Sequence, residues 1–597
     1  MENKKRSEMN PEFMWDLSPI FADEDAWRAA LADAEAAVKA LETLPGTLGG
    51  SAGALQAALD AVTAASQKVE RVYSYAFLRK AGDNGDPVSQ DMEARAISLF
   101  VALETATAFL NPEILSIPAE KLDAWMGEEG LKTYRHMLDD VARGRSHTLD
   151  AAGERMMAML GDAAQTPGNV FEMFESVDMR FANVHDENGD EVPLTHGSFG
   201  VYRESGSQAV RREAFETYFG EFAKYINMLA ATYGGQVKQD VFQANVRGFA
   251  GACEAALFGN NVPVSLYDGL ITAVHEALPT MRQYIDLRRR VMGLDKLNLY
   301  DLYAPMVADA QFDMPYEKAK ALVKAALKPL GEAYGKLLDK AFAERWIDVY
   351  ENQGKTTGAF SSGVYGVHPY VLLNFTGQLD DAFTLAHELG HSMHSWHSDH
   401  AQDYANHDYR IFVAEVASTV NEVLLTKYLL SQEMDDAHRA TILNHFLEGF
   451  RTTVFRQTLF AEFERKAHEL YQNGQPLTAQ SLNQVFHDLN ALYYEGCEIN
   501  DFADVEWARI PHFYRAFYVY QYATGFSSAV AIADHILKTG DASDYLKFLS
   551  TGGSDYPIEE LKIAGVDLTK PDAVRNAMRV FAETLEDLRA LLLREEA

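Results

Sequence analysis

Apolar residues recur along most of this chain at the three-to-four-residue interval of an α-helix. Trp27, Leu31, Ala34, Val38 and Leu41 fall at i, i+4, i+7, i+11 and i+14, and Pro45-Gly46 stops the run. Similar spacing predicts long helices over about 52–79, 89–110 and 122–159, packed as a bundle, and again over about 207–245 and 267–291. The chain therefore reads as mainly α.

Two stretches break the helical rhythm. Around Glu187-Asn188-Gly189-Asp190 the pattern alternates on either side of an Asn-Gly pair, which predicts a β-hairpin. A soft boundary near residue 200 follows, dividing an N-terminal helical lobe (1–200) that ends in the hairpin from a catalytic part (201–597). Between residues 346 and 375 the pattern turns to Gly-rich loops, and 370–375 reads as a strand. Such a strand can lie buried, or it can pair with an extended peptide backbone. Gly354-Lys355-Thr356 suggests a phosphate loop, but that motif requires glycine where Val349 stands, so nucleotide binding is rejected.

The strand leads into Asp381-Ala382-Phe383-Thr384-Leu385-Ala386-His387-Glu388-Leu389-Gly390-His391, the stretch that carries chemistry. Two histidines four apart on a helix lie about 40° apart around its axis, so both imidazoles reach one metal ion. Glu388 sits about 100° round from His387, able to reach a water on that metal without ligating it. Leu385, Ala386, Leu389, Met393 and Trp396 fall on the opposite side for packing, and Asp380 or Asp381 can cap the start.

A catalytic zinc takes three protein ligands and keeps one position open. The helix containing Phe412-Val413-Ala414-Glu415-Val416-Ala417-Ser418-Thr419-Val420-Asn421-Glu422 offers the third, because Glu415, Ser418, Thr419 and Glu422 form a narrow polar stripe on an apolar surface. Burying carboxylates there costs several kcal/mol unless a cation compensates them. Helical geometry does not separate Glu415 from Glu422: one ligates, and the other holds a ligand histidine by its remaining N–H. His394, one turn beyond His391, is a rival ligand. Two imidazoles and a carboxylate favour zinc, although cobalt or manganese accepts the same set.

Composition narrows the partners. With 87 acidic against 53 basic residues the formal charge is −34, which excludes nucleic acid and anionic membrane as natural partners. Only two cysteines, Cys253 and Cys497, argue against a disulfide framework and for a reducing, cytoplasmic setting. No secretory leader or membrane-length apolar run is present, so Asn374-Phe375-Thr376 has no meaning as a glycosylation site.

The metal helix, the Glu415 stripe, and His512-Phe513-Tyr514 leading into Tyr520-Gln521-Tyr522-Ala523-Thr524-Gly525 together resemble oligoendopeptidase F, of the thimet oligopeptidase-like M3 zinc peptidases. Trp15-Asp16-Leu17-Ser18 extends the likeness to the amino end, and Thr551-Gly552-Gly553-Ser554-Asp555-Tyr556-Pro557 also resembles the family, without an assigned role. The resemblance implies a two-lobed helical ellipsoid with a deep central channel and a small zincin-like β element beside the metal helix. It implies one zinc on His387, His391 and Glu415, with Glu388 as the base that activates the zinc-bound water. It gives His512, Tyr520 and Tyr522 the stabilisation of the oxyanion, worth about 3 kcal/mol. The activity implied is endopeptidase cleavage of short, unstructured oligopeptides. Two alternatives are a dipeptidyl carboxypeptidase-type exopeptidase, which needs a cationic group for the substrate's carboxylate, and a non-catalytic peptide-binding scaffold that keeps a metal site.

Overall fold

A computed structural model describes residues 4–307, 310 and 312–593. It is mainly helical, as the periodicity predicts, and the sheets among the described residues are small: two of two strands and one of three. Contacts group the chain into two compact units, neither continuous in sequence. The first comprises Met1–Ser146, Phe312–Leu429 and Ile532–Val566; the second comprises His147–Gln311, Leu430–Ala531 and Asp567–Ala597. No helix of the described residues is long and apolar enough to cross a membrane.

In the first unit the amino-terminal periodicity becomes the helix Glu24–Ala40, which buries Trp27, Leu31, Ala34 and Val38. Asp23 caps it, and its neighbour Ala52–Gly82 is capped by Ser51. The Trp27 indole donates to the Val72 carbonyl at 2.9 Å, so the largest buried side chain there leaves no polar group unmet. The expected long helix over 122–159 does not form. The chain instead makes Ala119–Met126, Arg135–Arg143 and Ala151–Ala164, with Gly127, Gly130 and Gly144 at the breaks, where backbone entropy outweighs the apolar spacing.

The three-stranded sheet also lies in the first unit, in the order Ile347–Asp348, Tyr370–Leu372, Phe360–Ser362. Its middle strand is the one read from sequence, parallel to the first and antiparallel to the last. Both of its hydrogen-bonding edges are occupied and all three residues are buried, so of the two readings left open by the sequence it is the buried strand that is found, with Phe360–Ser362 as the outer strand. Lys355 of the rejected phosphate-loop match is held instead by Asp348 at 2.8 Å.

The second unit contains the hairpin, Val184–His185 paired with Glu191–Val192, with Gly189 at φ 83° in its turn. The single run expected over 207–245 is divided at Tyr225 into Gln208–Lys224 and Ile226–Val246. The helix Val264–Val291 carries Pro279 in its interior and packs against Asp572–Leu592.

Candidate metal centre

The metal helix runs from Leu379 to Ala401 in the first unit. Its start is organised by Asp381, now in the first turn rather than preceding it. One oxygen of Asp381 accepts from the backbone N–H groups of Thr376, Gly377 and Gln378 and from the Thr376 hydroxyl, at 2.8–3.1 Å. The Thr384 hydroxyl donates to the Asp380 carbonyl at 3.0 Å. A carboxylate at a helix N-terminus meets both the orphan donors and the helix dipole.

The second helix, Ile411–Ser431, lies against it with almost no space between the backbones. A Cβ built on Gly390 would stand 2.5 Å from Ser418 Cα and 2.6 Å from the Ala417 carbonyl oxygen. Only glycine fits, so the glycine between the two histidines sets how closely the carboxylate helix approaches. Asn421 fastens the contact, donating to the Ala386 carbonyl at 3.0 Å and accepting from the Tyr334 hydroxyl at 3.2 Å. Neither Gly390 nor Asn421 was singled out from sequence. The available signal was a small residue inside the two-histidine motif, opposite a buried amide on the apolar helix.

That approach brings three donor atoms together. His387 Nε2 and His391 Nε2 are 3.2 Å apart, and Glu415 Oε2 lies 3.4 Å from the first and 3.5 Å from the second. A tetrahedral zinc with bonds of about 2.0–2.1 Å requires ligand atoms separated by about 3.3 Å. The triangle therefore has the size of one tetrahedral face, and the donor set fits the ion. Glu422 occupies a different position: it lies 2.5 Å from His387 Nδ1, so that Nε2 is the ring nitrogen facing Glu415. The geometry thus separates two carboxylates that the helical wheel could not. His394 is fully buried, its ring stacked on Tyr409 at 3.6 Å, and it does not join the triangle.

The electrostatics match. Burial works against a charged His387, but Glu422, Glu388 and Glu415 outweigh it and push the imidazole up to about 9. Burial also works to raise Glu415, yet the hydrogen bond to His391 and the charges of both imidazoles bring it down to about 2. Glu388 is 6% exposed, and burial holds its carboxyl above the usual range against the pull of the two histidines. Three carboxylates around two imidazoles demand positive charge.

A cavity of about 880 Å³ in the first unit reaches these elements, lined by Ser395 and Asp399 of the metal helix and by Ala414, beside Glu415. The glycine-rich loop at 551–557 closes onto the same helix's far end. Gly552, at φ 55°, and Gly553 pass so near Ser398, Asn406 and Asp408 that neither accommodates a Cβ.

The carboxy-terminal aromatic segment lies in the second unit. His512 Nε2 and the Tyr522 hydroxyl are 3.4 Å apart, and Tyr518 stacks on His512 with centroids 5.9 Å apart. Tyr520 does not join them. It is 1% exposed, with its ring against Tyr267, because Tyr520 and Tyr522 stand about 200° apart on one helix. Tyr518, which the structure adds to the cluster, was visible in sequence as one of several close tyrosines.

Comparison with known proteins agrees with this chemistry. Residues 201–580 match the family model described as Peptidase family M3, and residues 113–181 match the one described as Oligopeptidase F. The chain is 42% identical over 593 residues to Oligopeptidase PepF of Bacillus subtilis, covering 99% of this chain and 88% of that protein. It is 37% identical over 594 residues to the plasmid-encoded Oligoendopeptidase F of Lactococcus lactis subsp. cremoris, covering 99% of each. The crystal structure of oligoendopeptidase-F from Enterococcus faecium superposes with a TM-score of 0.73 at 35% identity, covering 96% of this chain and 99% of that one.

Proposed function

The chain belongs to peptidase family M3, and from that premise we propose that it is a zinc-dependent endopeptidase cutting internal bonds of short, unstructured oligopeptides. The observation that carries the metal assignment is the His387–His391–Glu415 triangle, whose edges suit one tetrahedral ion. Zinc held there would supply a Lewis acid, polarising a carbonyl and acidifying water.

The chain's own residues do the rest. Glu388 accepts the proton of the attacking water and returns it to the leaving amine; its burial, which raises the carboxyl, supports both halves of that exchange. Glu422 keeps His387 in the tautomer that presents Nε2. By the family resemblance, His512 and Tyr522, whose Nε2 and hydroxyl are 3.4 Å apart in the second unit, are the groups proposed to stabilise the oxygen on which charge develops. Tyr520, 1% exposed with its ring against Tyr267, is not part of this proposed pair. The cytoplasmic setting and the division of the sequence near residue 200 belong to the same proposal, and the gap between the two family matches supports the latter.

The test is a quenched fluorescent peptide blocked at both ends, assayed with and without chelator, with products identified by mass spectrometry. Internal cleavage that stops on chelation and returns with zinc is expected. Cleavage only when the carboxy terminus is free would replace the endopeptidase with the exopeptidase reading. Bound zinc with no cleavage of any peptide would leave a scaffold.

A further inference from the structure

The second unit holds a charge imbalance of the opposite sign. The Tyr303 ring is surrounded by guanidinium groups: the Arg203 carbon lies 3.6 Å from its centroid, Arg451 4.3 Å and Arg456 5.9 Å. Arg456 pairs with Glu506, which also has Arg509 at 3.5 Å. Arg451 spends two nitrogens on Glu448, at 3.0 and 2.6 Å. Arg203 has no carboxylate within ion-pair distance among the described residues. Arg203, Arg451, Arg456 and Arg509 thus have two glutamates among them, one of which Arg288 also contacts at 3.4 Å, in a chain whose formal charge is −34.

The unmet polar atoms here are donors. Arg451 is fully buried with Nη1 unpartnered, Arg203 Nε is buried without a partner, and so is Asn490 Nδ2. The Tyr494 hydroxyl, on a residue 2% exposed, also lacks a partner. Arg203, Tyr303, Arg456, Asn490, Tyr494 and Glu506 line one cavity of about 20 Å³, room for a single water-sized particle. A water molecule would meet some of these donors but leave the surplus charge in place. Burying unpaired charge and donors costs several kcal/mol, and a small anion answers both.

We propose that this cavity is a binding site for one inorganic monoanion of chloride size, received by Arg203, Arg456, Asn490 Nδ2 and the Tyr494 hydroxyl. Room for one water-sized particle favours a monatomic over a polyatomic anion. Arg203 and Tyr303 are half-buried. In bound form the ion would neutralise the surplus around Tyr303 and stiffen the Ala503–Arg509 turn that leads to His512. Burial alone would raise the Tyr303 phenol, yet the three guanidinium charges hold it below its ordinary value, which marks the same local demand for an anion.

The experiment uses the zinc-loaded full chain exchanged into sodium gluconate, with chloride added at constant ionic strength. A saturating rise in Tm of about 2 °C is expected with chloride and bromide, and none with sulfate. Chlorine-35 NMR reads binding directly as excess line width, and Arg203→Gln is expected to abolish the part of that width belonging to this site. Should Arg203→Gln fail to fold, Tyr494→Phe removes one hydroxyl and is expected to weaken chloride about tenfold. Line widths equal in wild type and in the folded variant would overturn the proposal, as would a rise in Tm with sulfate equal to that with chloride. A third arm compares free-acid and amidated peptides: a KM raised by Arg203→Gln for the free acid alone would assign these arginines to a peptide carboxylate instead, and would also overturn it.

Discussion

The metal triangle and the Tyr303 cluster are the same problem with the sign reversed. On Leu379–Ala401 and Ile411–Ser431, three carboxylates surround two imidazoles and call for a cation. Around Tyr303, three guanidinium groups crowd one ring and, with Arg509 beside them, share two carboxylates, which calls for an anion. They differ in what each surplus is fitted to. The triangle has edges within 0.3 Å of one another, from 3.2 to 3.5 Å, so its three atoms can share one ion. The arginine cluster spends its guanidinium faces on an aromatic ring and leaves only scattered N–H donors for a ligand. Convergent single atoms suit an ion that forms directional bonds and does chemistry; a diffuse positive shell suits an ion that only neutralises.

The largest effects lie on the negative side of this comparison. His387→Ala removes one corner of the triangle and is expected to lose both zinc and turnover, read by metal analysis alongside the peptide assay. Glu388→Gln leaves all three corners in place. It is expected to keep zinc and lower kcat about 10³-fold, in the range of general acid–base contributions. Near-normal turnover of a zinc-loaded Glu388→Gln protein would remove Glu388 from its role and, with it, the distinction between a chemical site and a neutralising one.

The next step down probes why the triangle converges. Gly390→Ala places a Cβ 2.5 Å from the Ser418 backbone, so one helix must move. Overpacking of this kind costs about 1–3 kcal/mol. We expect up to about a 100-fold loss of zinc affinity together with a lower Tm in the metal-free protein. A variant that keeps both would mean that the close approach of the two helices is incidental to the site.

How much of each region could be read beforehand follows from how each is built. His387, Glu388 and His391 belong to one helix turn, so their spacing exposes them. Glu415 lies only 24 positions beyond His391, on the next long helix, and its polar stripe was visible; helical spacing alone could not distinguish Glu415 from Glu422, because that depends on the stagger set by Gly390, and only the family resemblance did so. The long helices with regular apolar faces, such as Glu24–Ala40, were legible for the same local reason, whereas 122–159 was misread where glycines interrupt a good apolar pattern. Tyr520 was chosen from a run of tyrosines without knowing the helix's rotation, which turns it inward. The Tyr303 cluster draws Arg203, Arg451, Asn490 and Glu506 from four separate helical segments and has no local pattern at all.

A smaller effect separates holding a ligand from being one. Glu422→Gln retains an acceptor for His387 Nδ1 but removes the charge that favours the present tautomer. Zinc affinity is expected to fall about tenfold, with kcat at saturating zinc little changed. Were Glu422→Gln to lose zinc as completely as His387→Ala, Glu422 would have to be counted among the ligands, and the triangle would no longer be the unit of the site.

Glu560 supplies the third answer to a buried charge, and the mildest test. It is fully buried in the first unit, and burial pushes its carboxyl from 4.5 up to about 8, against smaller opposing contributions that include the charge of Arg410. Here the surplus is resolved by neither cation nor anion but by keeping a proton. The folded chain then binds a proton that the unfolded chain has released at any pH between about 4.5 and about 8, so stability is fully present below that window and falls as pH rises through it, by about tenfold in the unfolding equilibrium per pH unit. Glu560→Gln fixes the neutral form. It is expected to raise Tm over wild type by a few degrees at pH 8 and by almost nothing at pH 4.5, as thermal unfolding across that range would read. A pH-independent difference would mean that Glu560 is ionised in the folded chain and has a counter-charge. In that case a buried carboxylate would not by itself point to a missing cation, and the inference from charge surplus to ligand would rest on donor geometry alone.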